Sequence, residues 1–140
     1  MEVVTKELLM PQKGRIFIVE DEKIVAEDLR TLLQSRGYQV IGVVTSGHEA
    51  VSEIKRLEPD LVLMDVRIQG ELNGIEVAIV IQSLFDHPIP VVFLTGFAEK
   101  SFNYLKVLNN YIYINKPFNE HELFAAIDRG ISSGNLGERP

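Results

Sequence analysis

Cysteine is missing from all 140 residues of the chain. This absence excludes disulfide frameworks, thiolate metal sites and cysteine nucleophiles. It also fits a reducing compartment, so we expect a cytoplasmic protein.

Basic residues are scarce, with 14 Lys and Arg against 20 Asp and Glu, which gives a net charge of −6. A chain this acidic is not expected to bind nucleic acid directly through its phosphates.

Long hydrophobic runs are also missing. No apolar stretch approaches the roughly 20 residues that span a bilayer. The first residues lack the basic start and apolar run of a secretory signal, so we expect no contact with a membrane. The composition, 46% hydrophobic and 24% charged, is that of a globular protein. A chain of this length can bury the core of one domain.

Short apolar runs alternate with helical patterns along the chain. The runs predicted to be strands are Arg15–Val19, Tyr38–Val44, Leu61–Met64, Val91–Leu94 and Tyr111–Ile114. Helical spacing of apolar residues predicts five helices, which cover about 24–36, 46–57, 75–84, 102–108 and 119–131. The second of these starts at a capping box formed by Ser46 and Glu49. We predict an N-terminal leader, a folded domain and a polar tail or truncated linker, at 1–13, 14–133 and 134–140.

Strands that are separated by helices pair in parallel and are buried on both faces. The fold class is therefore α/β, a doubly wound, flavodoxin-like sheet of five parallel strands in the order 2-1-3-4-5 with five helices. In such sheets, ligands bind at the carboxyl ends of the strands.

Polar residues follow four of the five predicted strands. They are Glu20 and Asp21 after the first strand, Asp65 after the third, Thr95 after the fourth and Lys116 after the fifth. Each of these residues alone would usually be an exposed loop residue or a helix cap. The predicted strand order brings them to one edge of the sheet, where their chemistry is complementary.

Phosphoryl transfer is the chemistry that this combination of side chains favours. Carboxylates held close together repel one another, so the acidic cluster needs a hard divalent cation such as Mg²⁺. Asp65 can attack a phosphoryl group, and the Lys116 ammonium can neutralise its charge from the other side. Thr95 can donate a hydrogen bond to a phosphoryl oxygen, and Gly96 leaves space and supplies a backbone N–H.

Five segments, in this order and at suitable spacing, resemble the receiver domains of two-component response regulators across residues 14–133. The segments are Ile18–Glu22, Leu63–Asp65, Asn73–Glu76, Leu94–Gly96 and Asn115–Phe118. The resemblance implies that Asp65 accepts a phosphoryl group from a histidine kinase or a phosphotransfer protein. It also implies a domain that changes only its own phosphorylation state and is not an enzyme for a separate substrate.

The resemblance further implies a Mg²⁺ (or Mn²⁺) cofactor. Its ligands would be the carboxylates of Glu20, Asp21 and Asp65 and the backbone carbonyl of Arg67.

A switch is implied as well. Lys116 would pair with the phosphoryl group, and the peptide bond before Pro117 would be cis. On phosphorylation Thr95 would move inward and Tyr113 would change rotamer. The face formed by the fourth helix, fifth strand and fifth helix would then signal to a protein partner, an output domain or a second copy of the chain.

Three alternatives remain open at this stage. A phosphatase of the haloacid dehalogenase type needs a second aspartate two positions after the nucleophile, where this chain has Arg67, and usually a cap domain. A flavin-binding module needs a Ser, Thr or Gly-rich loop after the first strand, where the acids of 20–22 would repel a phosphate. A pseudo-receiver would keep the fold without the phosphorylation. The histidines at 48, 87 and 121 are predicted to be surface residues.

Overall fold

The computed structural model describes residues 13–68, 70–96 and 111–137, with side chains up to Ser132. Its strands are β1 (Arg15–Val19), β2 (Gln39–Val44), β3 (Leu61–Asp65), β4 (Val91–Thr95) and β5 (Tyr111–Asn115). Its helices are α1 (Lys23–Ser35), α2 (Gly47–Leu57), α3 (Gly74–Gln82) and α4 (Glu120–Gly137). The helix predicted at about 102–108 lies outside the described residues, so α4 is the helix predicted as the fifth.

All strands pair in parallel, in the order β2-β1-β3-β4-β5. This confirms the predicted doubly wound, flavodoxin-like sheet. The three central strands, β1, β3 and β4, are almost completely buried, because helices cover both faces of the sheet. Their near-continuous apolar sequences follow from that burial.

Successive strand residues point to opposite faces, which divides the core into two layers. One layer packs under α2 and α3 and includes Phe17, Met64, Phe93, Ile54 and Ile81. The other packs under α1 and α4 and includes Ile18, Leu63, Leu94, Leu33 and Ile127. Burying one large apolar side chain of this kind contributes about 1.5 to 3 kcal/mol.

Helix caps fix where α2 and α3 begin. Ser46 Oγ accepts a hydrogen bond from the Glu49 N–H at 3.3 Å and donates one to the Glu49 carboxylate at 3.1 Å. Asn73 and Glu76 form a reciprocal capping box at the start of α3. Each cap satisfies backbone N–H groups that have no partner inside the helix, and losing such a cap costs about 1 kcal/mol.

The C-terminal helix α4 starts where predicted and ends later than predicted. Asn119 Oδ1 accepts a hydrogen bond from the Glu122 N–H at 2.8 Å. The helix continues to Gly137, past the end predicted near residue 131. Gly and Ser lower helix propensity there, but propensity is a weak constraint that does not by itself end a helix.

The proposed domain boundaries remain predictions. Within the described ranges, no helix combines the length and apolar character needed to cross a bilayer.

Candidate functional site

A cleft of about 340 Å³ lies at the carboxyl edge of the sheet. It is lined by Asp21, Glu22, Asp65, Arg67, Thr95, Gly96 and Lys116. The strand ends therefore bring together the side chains predicted to converge there. Glu20 is buried beside the cleft, and Tyr113 lies in β5 on a separate groove against α4.

Three carboxylates form the acidic side of the site. Oxygens of Glu20, Asp21 and Asp65 lie within 4.8 Å of one another. Glu20 is only 1% exposed, and its Oε2 has no hydrogen-bond partner among the described residues. Burial, followed by the adjacent Asp65 carboxyl, raises the pKa of Glu20 to about 8, although the Lys116 ammonium opposes this. Ionisation of Glu20 is therefore unfavourable here unless a further positive charge lies beside it.

Both oxygens of Asp65 have defined partners. Oδ1 accepts a hydrogen bond from the Arg67 N–H at 2.9 Å, and Oδ2 accepts one from Lys116 Nζ at 2.9 Å. Asp65 is 7% exposed and lies at the open end of a strand that is otherwise fully buried. This combination fixes the orientation of a carboxylate that still faces a cleft.

Lys116 completes the site from the opposite side. Burial alone would lower the pKa of Lys116, but the hydrogen bond and charge of Asp65, together with Glu20 and Glu22, raise it overall. The group is therefore an ammonium at neutral pH. Its Nζ also lies 3.9 Å from Glu20 Oε2, so one cation is shared by two buried carboxylates.

Strand β5 and the end of β4 hold the remaining predicted residues in place. The Lys116 N–H donates to the Thr95 carbonyl at 2.8 Å, and Thr95 pairs with Asn115 in the sheet. Thr95 is buried, and a Cβ on Gly96 would meet no atom of the described residues within 4 Å. The peptide bond between Lys116 and Pro117 is cis, as predicted.

The structure also gives roles to residues that the sequence placed only within motifs. A Cβ on Gly74 would lie 2.3 Å from the Asp65 carbonyl oxygen, so only glycine allows the loop to pack this closely behind the site. Glu22 lines the cleft and adds negative charge near Lys116. The sequence signal for Glu22 was a third acid in the run 20–22, whereas nothing local indicated the close approach at Gly74. All three histidines are exposed, as predicted.

The residues present fit a bound divalent cation. The clustered carboxylates are the oxygen ligands that Mg²⁺ prefers, and the buried Glu20 Oε2 accepts no hydrogen bond from the described residues. Burial, followed by the adjacent Asp65 carboxyl, raises the pKa of Glu20, and a bound cation would favour the ionised form. The ligand role of the Arg67 carbonyl remains a prediction.

Known sequences are similar to this chain. The family model described as the response regulator receiver domain matches residues 16–128. The transcriptional regulatory protein PdtaR of Mycobacterium tuberculosis is 34% identical over 119 residues, 84% of this chain and 57% of its own length. The DNA-binding response regulator MtrA of Mycobacterium leprae is 34% identical over 116 residues, 82% of this chain and 50% of its own. The chain thus spans about half the length of these curated relatives.

Solved structures share the fold. The signal receiver domain of a modulated diguanylate cyclase from Desulfovibrio desulfuricans matches with a TM-score of 0.79 and 32% identity, over 89% of this chain and 98% of that one. The response regulator PhyR from Brucella abortus matches with a TM-score of 0.74 and 27% identity, over 88% of this chain and 49% of that one. With its sheet order and its acidic cleft facing a lysine, the chain belongs to the response regulator receiver domain family.

Proposed function

We propose that this receiver domain accepts a phosphoryl group on Asp65 from the phosphohistidine of a histidine kinase or a phosphotransfer protein. The observation that carries the proposal is the setting of Asp65, whose Oδ2 lies 2.9 Å from Lys116 Nζ, in a group of three carboxylates within 4.8 Å. In the reaction, an Asp65 oxygen bonds to phosphorus while the phosphorus–nitrogen bond breaks. The electron pair of that bond leaves with the imidazole nitrogen.

The proposed cofactor is Mg²⁺ (or Mn²⁺). Glu20, Asp21 and Asp65 would hold it through their carboxylates and Arg67 through its backbone carbonyl. A bound divalent cation would neutralise charge on the phosphoryl oxygens. The unpartnered buried oxygen of Glu20 and its raised pKa support the need for a cation at this position.

The protein's own groups would act mainly by positioning. Lys116 would neutralise charge on the phosphoryl group, because its ammonium already lies beside Asp65. Thr95 and Gly96 would supply the hydroxyl and backbone N–H donors at the open end of β4. Because the fold already holds these groups in place, less entropy is lost when the reacting groups are aligned. The domain would change only its own state and would not turn over a separate substrate.

The proposed output is a change of the surface around β5. Tyr113 is half-buried in β5 and borders a groove of about 260 Å³ against α4. The predicted helix at about 102–108, β5 and α4 would form the switching face. Its partner would be a protein, an output domain or a second copy of the chain, in the cytoplasm. The names of the relatives point to transcriptional output, and the net charge of −6 argues against direct contact of this domain with DNA.

Incubation with Mg²⁺ and acetyl phosphate, followed by intact mass spectrometry, tests the proposal. We expect a gain of one phosphoryl group that hydroxylamine removes, as it removes an acyl phosphate. The gain should disappear in Asp65→Asn and in the parent when Mg²⁺ is chelated. An equal gain in Asp65→Asn would place the chemistry elsewhere. No gain with any donor, together with no binding of Mg²⁺, would leave a pseudo-receiver.

A further inference from the structure

The loop that follows Asp65 packs against the first turn of α2. A Cβ on Gly47, the first residue of α2, would lie 2.8 Å from Leu72 Cβ and 3.0 Å from the Leu72 carbonyl oxygen. A Cβ on Gly70 would lie 4.0 Å from Ser46 Cβ, at the helix cap. The loop and the start of α2 therefore meet at two points, and one of them has no room for a methyl group.

The same loop carries the groups that surround Asp65. The Arg67 N–H donates to Asp65 Oδ1 at 2.9 Å, and the Gly74 N–H donates to the Val66 carbonyl at 2.9 Å. Between these points, Ile68 is buried in the core layer under α2 and α3. A shift of the loop would therefore move the Arg67 backbone relative to Asp65.

We propose that Gly47 is a positioning residue for phosphorylation. Because Gly47 has no side chain, the loop can pack closely against α2. This packing fixes the position of the Arg67 backbone relative to Asp65. The inference rests on the proposed function of Asp65 and extends it to a helix that does not line the cleft.

The atoms around Gly47 determine which part of the structure must move when a methyl group is added there. A methyl group there would also lie 2.9 Å from Val77 Cγ2, which is the end of a side chain that can rotate. The Leu72 carbonyl is backbone, and it moves only if the loop moves. We therefore expect added volume at Gly47 to displace the loop that carries Arg67. A displacement of about 1 Å near a reacting group can cost up to about 100-fold in rate.

The test compares Gly47→Ala with Gly130→Ala. Both glycines are buried helix residues, and a Cβ on Gly130 would lie 2.7 Å from Leu61 Cδ1, in the other core layer. In Gly47→Ala we expect about tenfold slower phosphorylation by acetyl phosphate. We also expect a Kd for Mg²⁺ that rises several-fold and faster amide hydrogen exchange at Arg67. Gly130→Ala should keep all three within about twofold of the parent, even if its stability falls.

Equal behaviour of the two variants, or changes that follow global stability alone, would overturn the proposal. If Gly47→Ala does not fold, Leu72→Gly removes the Cβ that faces Gly47 and so loosens the same contact from the loop side. That variant must speed exchange at the Arg67 amide, and an unchanged rate would also overturn the proposal. Mg²⁺ binding and Arg67 exchange need no phosphoryl transfer. They therefore test the positioning role even if the parent fails to be phosphorylated on Asp65.

Discussion

At the scale of single residues, Glu20 is a carboxyl group whose ionisation is unfavourable in the folded protein. It is almost fully buried, next to Asp65, and its pKa is raised from 4.5 to about 8. A carboxyl group whose pKa is raised by folding is more easily ionised in the unfolded chain. The free energy of unfolding therefore falls as the pH rises from about 4.5 towards 8, and the protein is more stable on the acidic side of that range.

Glu20→Gln should remove this cost. Without divalent cations and at about pH 8, we expect the variant to be more stable than the parent by about 1 to 3 kcal/mol, since one pKa unit corresponds to about 1.4 kcal/mol. The gap should narrow as the pH falls to about 5, where the folded parent keeps the group protonated. Urea unfolding across this range measures the difference. Parallel pH curves for the two proteins would contradict the argument.

Added Mg²⁺ supplies the control for this prediction. A ligand that binds only the folded state stabilises it, and at a given concentration a tighter ligand stabilises it more. The parent at about pH 8 should therefore gain more stability from Mg²⁺ than Glu20→Gln, which lacks one proposed ligand.

At the scale of elements, glycines decide how closely loops approach the site. Gly74 starts α3 directly behind Asp65, and its N–H donates to the Val66 carbonyl. A Cβ here would lie 2.3 Å from the Asp65 carbonyl oxygen and 2.9 Å from Met64 Cγ. The first contact is with backbone at the end of β3, so a larger residue must separate α3 from the sheet.

Gly74→Ala should lower the free energy of unfolding by about 1 to 3 kcal/mol, the usual cost of overpacking. Alanine's better helix propensity, worth up to about 1 kcal/mol, offsets only part of this loss. Gly96→Ala is the matched control, because a Cβ there meets none of the described residues within 4 Å and should change stability by less than about 0.5 kcal/mol. Denaturant midpoints of the three proteins give the answer. Equal stability of Gly74→Ala and Gly96→Ala would show that the loop accommodates the added methyl group at little cost.

The sequence predicted the strand-end residues well because their convergence follows from topology. Once the strands are parallel and their order is set, Asp65, Thr95 and Lys116 must meet at one edge. The crowding at Gly47 and Gly74 could not be predicted, since it depends on how a loop folds back onto a distant backbone. The late end of α4 was missed for a related reason, because propensity alone rarely decides where a helix stops.

At the scale of the whole molecule, Tyr38 links the entry of β2 to the C-terminal helix. Its ring stacks on Phe124 with centroids 6.0 Å apart, and its hydroxyl donates to the Asp128 carboxylate. Arg36 lies 4.5 Å from the Phe124 ring and pairs with Glu120 at 3.2 Å. Strand β2 is at the edge of the sheet opposite β5, so these contacts connect the two ends of the fold across the α1 and α4 layer.

Tyr38→Phe should lower the free energy of unfolding at about pH 7 by about 1 kcal/mol, the net value of one hydrogen bond. Burial, followed by Asp128, raises the pKa of Tyr38 above its ordinary value of 10.0. Folding therefore favours the neutral phenol, and the stability it contributes is lost as the pH rises above about 10. The difference between parent and Tyr38→Phe should shrink in urea unfolding at about pH 11, because phenylalanine has no proton to lose. A difference that stays constant would mean that the fold does not hold the Tyr38 hydroxyl neutral.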